Sequence, residues 1–245
     1  MRYELLIASR YITAKRKEKF ISIISLISVL GVGVGVCALI VVIGVMSGFD
    51  NELREKVIGA NSHLVVEQEG GMDAPEGVIQ KIKAASPEII SAAPFLDGQA
   101  FAKVGGSMQG VVVRGIVPEE ESKVSKVGDY MRSGSILGAA NGGMLIGSEF
   151  ASRFGLKIGD SVSIISPAEG TDKDFRIAGI FNSGYYEYDS GLLFVGLKDA
   201  QALFGAGEKI GGIGIRIGDA FRAQSLRAEL QKQLRFPYYV KSWID

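Results

Sequence analysis

Residues 20–49 read FISIISLISVLGVGVGVCALIVVIGVMSGF, without one charged side chain. Twenty-one of these thirty positions are apolar, and the other nine are Ser or Gly. An α-helix rises about 1.5 Å per residue, so roughly 20 residues cross the hydrocarbon of a bilayer. This longer run is expected to tilt, or to protrude beyond the lipid as helix. A buried core helix of such length would show a polar face, and the run has none. A cleaved signal has an apolar stretch of about 7–15 residues followed by a small-x-small site. Met46-Ser47-Gly48-Phe49-Asp50 lacks that pattern, and Val36 stands where a lipoprotein signal would place Gly, Ala or Ser before Cys37.

Working outward, the charges orient the helix. Residues 1–19 carry six basic and two acidic side chains, Lys15, Arg16, Lys17 and Lys19 lying next to the run. Asp50, Glu52 and Glu55 follow it, and residues 50–245 carry a net charge of −4 although the whole chain is neutral. Basic residues stay on the cytoplasmic side, so residues 1–19 are expected in the cytoplasm and residues 50–245 outside the membrane, in the periplasm of a bacterium. Met1–Ala14 reads as a short amphipathic interfacial helix with Leu5, Leu6, Tyr11 and Ile12 on its apolar face. An acidic outer part without a basic stripe argues against a nucleic-acid partner.

Within the run, G-V-G-V-G-V lacks the third glycine of a dinucleotide loop and lies in a membrane helix. Gly31 and Gly35, one turn apart and extended by Ser28, instead form a small-xxx-small face on which another helix can pack. Beyond it Phe49, Leu53 and Val57 recur at i, i+4, Glu52 can pair with Lys56, and Gly59 stops the helix.

The rest reads as an α+β unit made of two related halves with an insertion. Residues 63–68 form a strand and Gly70-Gly71 a turn; Pro75 opens a helix through Ser86, Pro87 breaks it, and Ile89–Pro94 is a strand. The same order returns as strand Ile210–Ile217, N-cap Asp219, helix Phe221–Phe236, Pro237 and strand Tyr238–Ser242. Two such units make one antiparallel or mixed sheet with helices on one face. Between them Gln99–Val104 and Gly110–Ile116 flank a Gly105-Gly106 hairpin turn. Further strands are expected at Met144–Ile146, Ser161–Ser166, Phe175–Phe181 and Leu192–Val195, with one short helix capped by Ser148-Glu149 and ending at Gly155 and another at Lys198–Phe204. Residues 118–142 read as surface connections and Glu119-Glu120-Glu121 as an exposed run.

Catalytic chemistry is scarce. With one Cys and one His, the chain has no Cys/His zinc set and no disulfide framework. No G-x-x-x-x-G-K-[ST] and no H-E-x-x-H occurs, so no catalytic residue, metal site or cofactor is expected. His63 reads as a structural or solvent-facing histidine. Asp172, Asp174, Glu187 and Asp189 lack calcium-loop spacing and read as a solvated loop and turn.

Three stretches carry a family resemblance: Arg10-Tyr11 followed by a basic segment and KFISIISLISVLGVGVGVCALIVVIGVMSGFDNELREKVIG, then GLKIGDSVSIISP (155–167), then FNSGYYEYDSGLLFV (181–195) with DAQALF and a late YYVKSW. Together they resemble the lipoprotein-releasing permeases of the LolC/LolE family, across the whole chain. The resemblance implies an inner-membrane ABC transporter permease that releases lipoproteins to a LolA-like periplasmic carrier. ATP would be bound by a separate cytoplasmic P-loop ATPase, and a second permease subunit would complete the transporter. It also implies a porter-like part from residues 50–117 and 210–245, with a mainly-β Sabre-like insertion at 118–209. Family analogy places the lipid and lipoprotein path on Val42, Met46, Phe49 and Leu53; these residues would otherwise pack on further membrane helices or on the partner permease. A carrier-gripping hook of LolC-type members is matched here only by a short loop containing Ser166, Pro167, Ala168, Glu169 and Gly170. Family members carry three more helices after the YYVKSW region, so the sequence is expected to be a fragment, a split permease or a shortened form. The alternatives are a MacB-like efflux or mechanotransmission permease, or a single-span periplasmic adaptor.

Overall fold

The computed structural model describes residues 2–13, 19–60, 62–167 and 169–243. The chain divides into two compact units, Met1–Leu53 and Arg54–Asp245.

The first holds α1 (Arg2–Thr13) and most of α2 (Lys19–Ala60), whose last turns, from Arg54 on, belong to the second. Ile23–Gly48 of α2 is 26 residues long, apolar and wholly unburied. At about 1.5 Å per residue it reaches about 39 Å, longer than the hydrocarbon thickness. Leu6 and Ile7 of α1 are exposed as well.

The second unit is a single ten-stranded mixed sheet. It begins with β1 (Leu64–Met72), α3 (Pro75–Ala85) and β2 (Ile89–Val104), and ends with β9 (Ile210–Ile217), α8 (Ala223–Leu234) and β10 (Tyr238–Ser242). These four strands lie in the order β10-β1-β9-β2, every neighbouring pair antiparallel. This is the split βαβ arrangement that the repeat implied. Val78 and Ile82 of α3 and Leu226 and Leu230 of α8 close over Leu64, Val66, Ile213 and Ile215 as one apolar cluster.

The sheet continues through β3 (Ser107–Ile116) to β8 (Leu192–Gly196), β5 (Gly143–Gly147), β7 (Asp172–Phe181) and β4 (Met131–Gly134), while β6 (Ser161–Ile165) pairs with β2 and β7. The β3–β8 and β5–β7 pairs are parallel. Here α5 (Ser148–Phe154) and α7 (Leu197–Leu203) bury Phe150, Ala200 and Leu203 with Ala100, Val113, Phe175 and Leu193 in a second cluster. α4 (Pro118–Val124), a 3-10 helix (Ile136–Ala139) and α6 (Tyr186–Gly191) complete the insertion. Ile116, Ile136, Phe181 and Phe194 belong to a third cluster, with Phe181 and Phe194 edge to face at 5.4 Å between centroids.

Several local expectations change. Gly70 and Gly71, at φ 80° and 85°, do not turn the chain; they lie in a register shift within β1, a bulge that only residues free of a Cβ adopt easily. Ile89–Pro94 and Gln99–Val104 are one 16-residue strand, because Asp97 and Gly98 keep their ladder to Arg114 and Val113. Residues 118–142 hold α4, β4 and the 3-10 helix rather than bare connections. Glu121 is not exposed: as the last residue of the acidic run it turns inward with α4 and is only 6% accessible. Asp189 is 2% accessible rather than solvated.

Candidate functional site

Two features carry the residues singled out from the sequence, and each belongs to one unit.

The first is α2. Val42 and Met46 are 59% and 56% exposed, with nothing of the described chain packed on them. No described atom lies within 4 Å of where a Cβ on Gly31 or Gly35 would stand, so that face is open to a neighbouring helix. Ser28 is exposed on the same helix. Phe49 and Leu53 are part of α2, but their side chains lie outside the described residues. At 100° per residue, Ser28, Gly31, Gly35, Val42, Met46, Phe49 and Leu53 share one side of the helix. The helix-packing and lipid-path readings therefore describe a single stripe. A groove of about 740 Å³ that sequence reasoning missed is centred on another flank, at Gly33, Cys37 and Ala38. Its signal was the spacing of three small side chains.

The second is a cleft of about 680 Å³ on the sheet face opposite Ala100 and Val113. Side chains alternate along a strand, so Gln99, Phe101, Val112 and Arg114 point into it together. Phe101 pairs across the ladder with Gly110, which puts no side chain on the floor, and Phe101 and Val112 stay 42% and 38% exposed. Pro167 forms one wall, and Glu187 and Tyr188 of α6 another.

The β6–β7 turn brings Pro167 there. Ser166 N–H donates to the Thr171 carbonyl at 2.8 Å and Gly170 N–H to the Ser166 carbonyl at 2.9 Å, closing a tight loop. Ser166 is fully buried, and Glu169 and Gly170 are exposed; Ala168 lies outside the described residues. Thr171 Oγ1 ties the turn to the Leu203 carbonyl at 2.7 Å. Among the described residues of the predicted carrier loop, Pro167 alone lines the cleft.

The FNSGYYEYDSG segment builds the other wall. Asp189 accepts from Ser183 N–H at 2.9 Å, Ser183 Oγ–H at 2.8 Å and Gly184 N–H at 3.2 Å. Its backbone lies where a Cβ on Gly147 would fall, 2.2 Å from the Asp189 carbonyl oxygen, so only glycine lets β5 approach α6. These contacts orient Glu187 and Tyr188. Asp172, Asp174, Glu187 and Asp189 do not converge, and no metal-holding group occurs among the described residues.

Arg114 bounds the cleft. Its Nε and Nη2 donate to Asp97 Oδ1 and Oδ2 at 2.7 and 2.6 Å, and its guanidinium lies 4.8 Å from the Phe95 ring centroid. Burial alone would lower the Arg114 pKa, but the hydrogen bonds and charge of Asp97 outweigh it and hold the group charged. Burial pushes the Glu121 carboxyl up, and Arg114 offsets this only in part.

His63 is structural. Its Nδ1 accepts from Ile217 N–H at 3.3 Å while its backbone bonds Ile215 and Trp243. Burial, then Arg216, lowers its pKa below 6.5. The unfolded state thus takes up the proton first, so the stability contributed by His63 is present above pH 6.5 and is lost as pH falls through that value toward the folded pKa. Denaturant midpoints of the parent chain are expected to drop between about pH 7 and about pH 5 more steeply than those of His63→Gln. Parallel profiles would show that His63 is not linked to folding.

Residues 25–233 match the family model described as MacB-like periplasmic core domain. The chain belongs to that family. Among curated relatives of this MacB-like chain, the lipoprotein-releasing system transmembrane protein LolC of Xylella fastidiosa (strain Temecula1) is 32% identical, over 97% of the chain. LolC of Neisseria meningitidis serogroup B is 30% identical over 98% of it. The chain spans 59% and 60% of those two relatives' lengths. Two solved structures share the fold at 14% identity. The extracellular domain of the noncanonic ABC-type transporter YknZ from Gram-positive bacteria has a TM-score of 0.52, covering 74% of this chain and 100% of that one. The periplasmic region of MacB from Actinobacillus actinomycetemcomitans has a TM-score of 0.51, covering 78% and 92%.

Proposed function

We propose that the chain is the permease part of an ABC transporter that releases lipoproteins from the bacterial inner membrane. The observation that carries this reading is the 30–32% identity to LolC proteins, which runs through both the apolar helix and the outer unit. Residues 1–19 lie in the cytoplasm and residues 50–245 in the periplasm, as the basic flank before α2 supports. ATP is hydrolysed by a separate P-loop subunit, and a second permease completes the pair. The stripe through Val42 and Met46 meets acyl chains, each buried CH₂ contributing about 0.8 kcal/mol. The MacB-like efflux alternative is supported by the family-model match over residues 25–233 and by likeness of fold.

The porter-like part comprises residues 50–95 and 210–245, and the Sabre-like insertion begins inside β2. Ala92 of β2 belongs to the first apolar cluster and Ala100 to the second, which favours this boundary over residue 117.

The cleft beside Pro167 serves as the carrier contact. Phe101→Asp places a charge on its exposed apolar wall, and carrier affinity of the complete permease, measured by surface plasmon resonance, is expected to fall about tenfold, or about 1.4 kcal/mol. Unchanged affinity would move the contact elsewhere.

The function is tested by depleting the protein in the cells that make it. Lipoproteins are expected to accumulate in the inner membrane, and the complete gene to restore their export. An unchanged lipoprotein distribution on depletion would overturn the reading.

A further inference from the structure

We infer that the two packed cores of the outer unit move as one stiff lever, with no hinge at the seam between them. This rests on the reading of the chain as a transport permease only for its use; the stiffness follows from the seam itself.

β2 runs through both cores without interruption. Ile89–Phe95 pairs with β9, and Phe95–Val104 pairs with β3, so Phe95 belongs to both ladders. A strand of 16 residues, at about 3.3 Å each, spans about 53 Å, and bending it at the seam would break ladder bonds on both sides. Both faces of the seam are also filled. On one, the Phe204 ring occupies the space above Gly98, where a Cβ would fall 2.3 Å from it. On the same face α7 gives Leu197 to the first core and Ala200 and Leu203 to the second.

On the other face α4 acts as a strap. Ser91 Oγ–H of β2 donates to the Lys123 carbonyl at 2.7 Å, and Val124 packs where a Cβ on Gly214 of β9 would lie 3.4 Å from it. Glu121 of the same helix faces Arg114 of β3, which is clamped on Asp97 of β2 and stacked on Phe95. The strap, the first ladder and the second ladder thus share one charged cluster, with Glu121 buried at its inner end, Arg114 half-buried and Asp97 at the surface. A hinge there would pull α4 and the buried Glu121 away from Arg114, leaving a buried carboxyl without its basic neighbour, and tight packing resists such intermediate positions. Displacement at one end of the unit is delivered undiminished to the cleft at the other core.

The test uses spin labels on the full chain in nanodiscs, with Cys37→Ala. One pair, Lys81→Cys and Lys157→Cys, spans the seam; a control pair, Lys81→Cys and Lys232→Cys, stays within the first core. All three lysines are exposed. Pulsed electron–electron distances across the seam are expected to form one population as narrow as the control. Two populations, or a clearly broader one, would overturn the lever. Glu121→Ala is expected to broaden the seam distance while leaving the control unchanged, and Glu121→Gln to broaden it less. If Glu121→Ala leaves the seam distance as narrow as in the parent, the charged cluster is not what stiffens it and the assigned role of α4 fails. Because no transport is measured, a chain that releases no lipoprotein still yields the distances, so the two readings fail separately.

Discussion

Met46→Asp in the complete permease is expected to abolish lipoprotein release while the protein still inserts and assembles. Met46 lies near the C-terminal end of the 26-residue apolar span. A carboxylate at the centre of a membrane helix costs about 2.5–3.5 kcal/mol, and less toward the ends, where it reaches headgroups and water. Insertion therefore survives. An acyl chain that must slide along the stripe does not find apolar surface there, and loses about 0.8 kcal/mol for each CH₂ no longer buried. Four or five such groups correspond to a barrier increase of about 3–4 kcal/mol, over a hundredfold in rate. Gly44→Asp is the control. It lies two residues deeper, and 200° around the helix puts it on the opposite flank. Release from spheroplasts, followed by carrier-bound lipoprotein in the supernatant, should fail for Met46→Asp and persist for Gly44→Asp. Equal loss in both would mean that any charge at this depth blocks the permease and that the stripe has no special role.

The second large effect is on stability. Asp189→Ala is expected to destabilise the outer unit by about 3 kcal/mol, because hydrogen bonds to a charged group contribute about 1.5–3 kcal/mol and the buried Ser183 N–H and the part-buried Gly184 N–H lose their acceptor. For a unit of this size that lowers the melting temperature by roughly 6–12 °C. Asp189→Asn keeps an acceptor and should cost less than half as much. Circular-dichroism melts of the two variants decide it: equal, small shifts would show that water replaces the carboxylate and that the 182–189 loop is not held from within. The consequence for function is local. Without Asp189, Glu187 and Tyr188 lose the fixed wall they give to the cleft.

What the sequence revealed follows the strength of each physical signal. An uninterrupted uncharged run of thirty residues leaves few readings open, and α2 is where the run is. Paired proline breaks after two apolar-faced helices made the repeat around α3 and α8 legible. Gly105-Gly106, with φ of 54° and 89°, marked its hairpin because both positions need positive φ. The failures share a cause: local polarity was read as exposure. Glu121 and Asp189 are buried because a basic side chain on the preceding strand, or a turn of backbone N–H groups, faces them. Arg114 is that side chain for Glu121, and no spacing rule links position 121 to position 114 in a neighbouring strand. The strand is expected to break between Pro94 and Gln99, yet pairing of Asp97 and Gly98 with β3 keeps it extended. The cleft was illegible for the same reason. Phe101, Val112, Pro167 and Tyr188 come together only through the β2–β3–β8 and β2–β6 pairings. Among the described residues of the predicted carrier loop, Pro167 alone contributes to it.

The claim on which the rest depends is that a membrane helix holds the mixed sheet on the outer side of the membrane. Ser107, exposed beside the Gly105-Gly106 turn, gives direct access to it. In a Cys37→Ala background, Ser107→Cys is treated in intact cells, with a permeable outer membrane, using a maleimide that does not cross the inner membrane. Full labelling before lysis is expected. Labelling that occurs only after the inner membrane is opened would place the sheet in the cytoplasm and contradict the account.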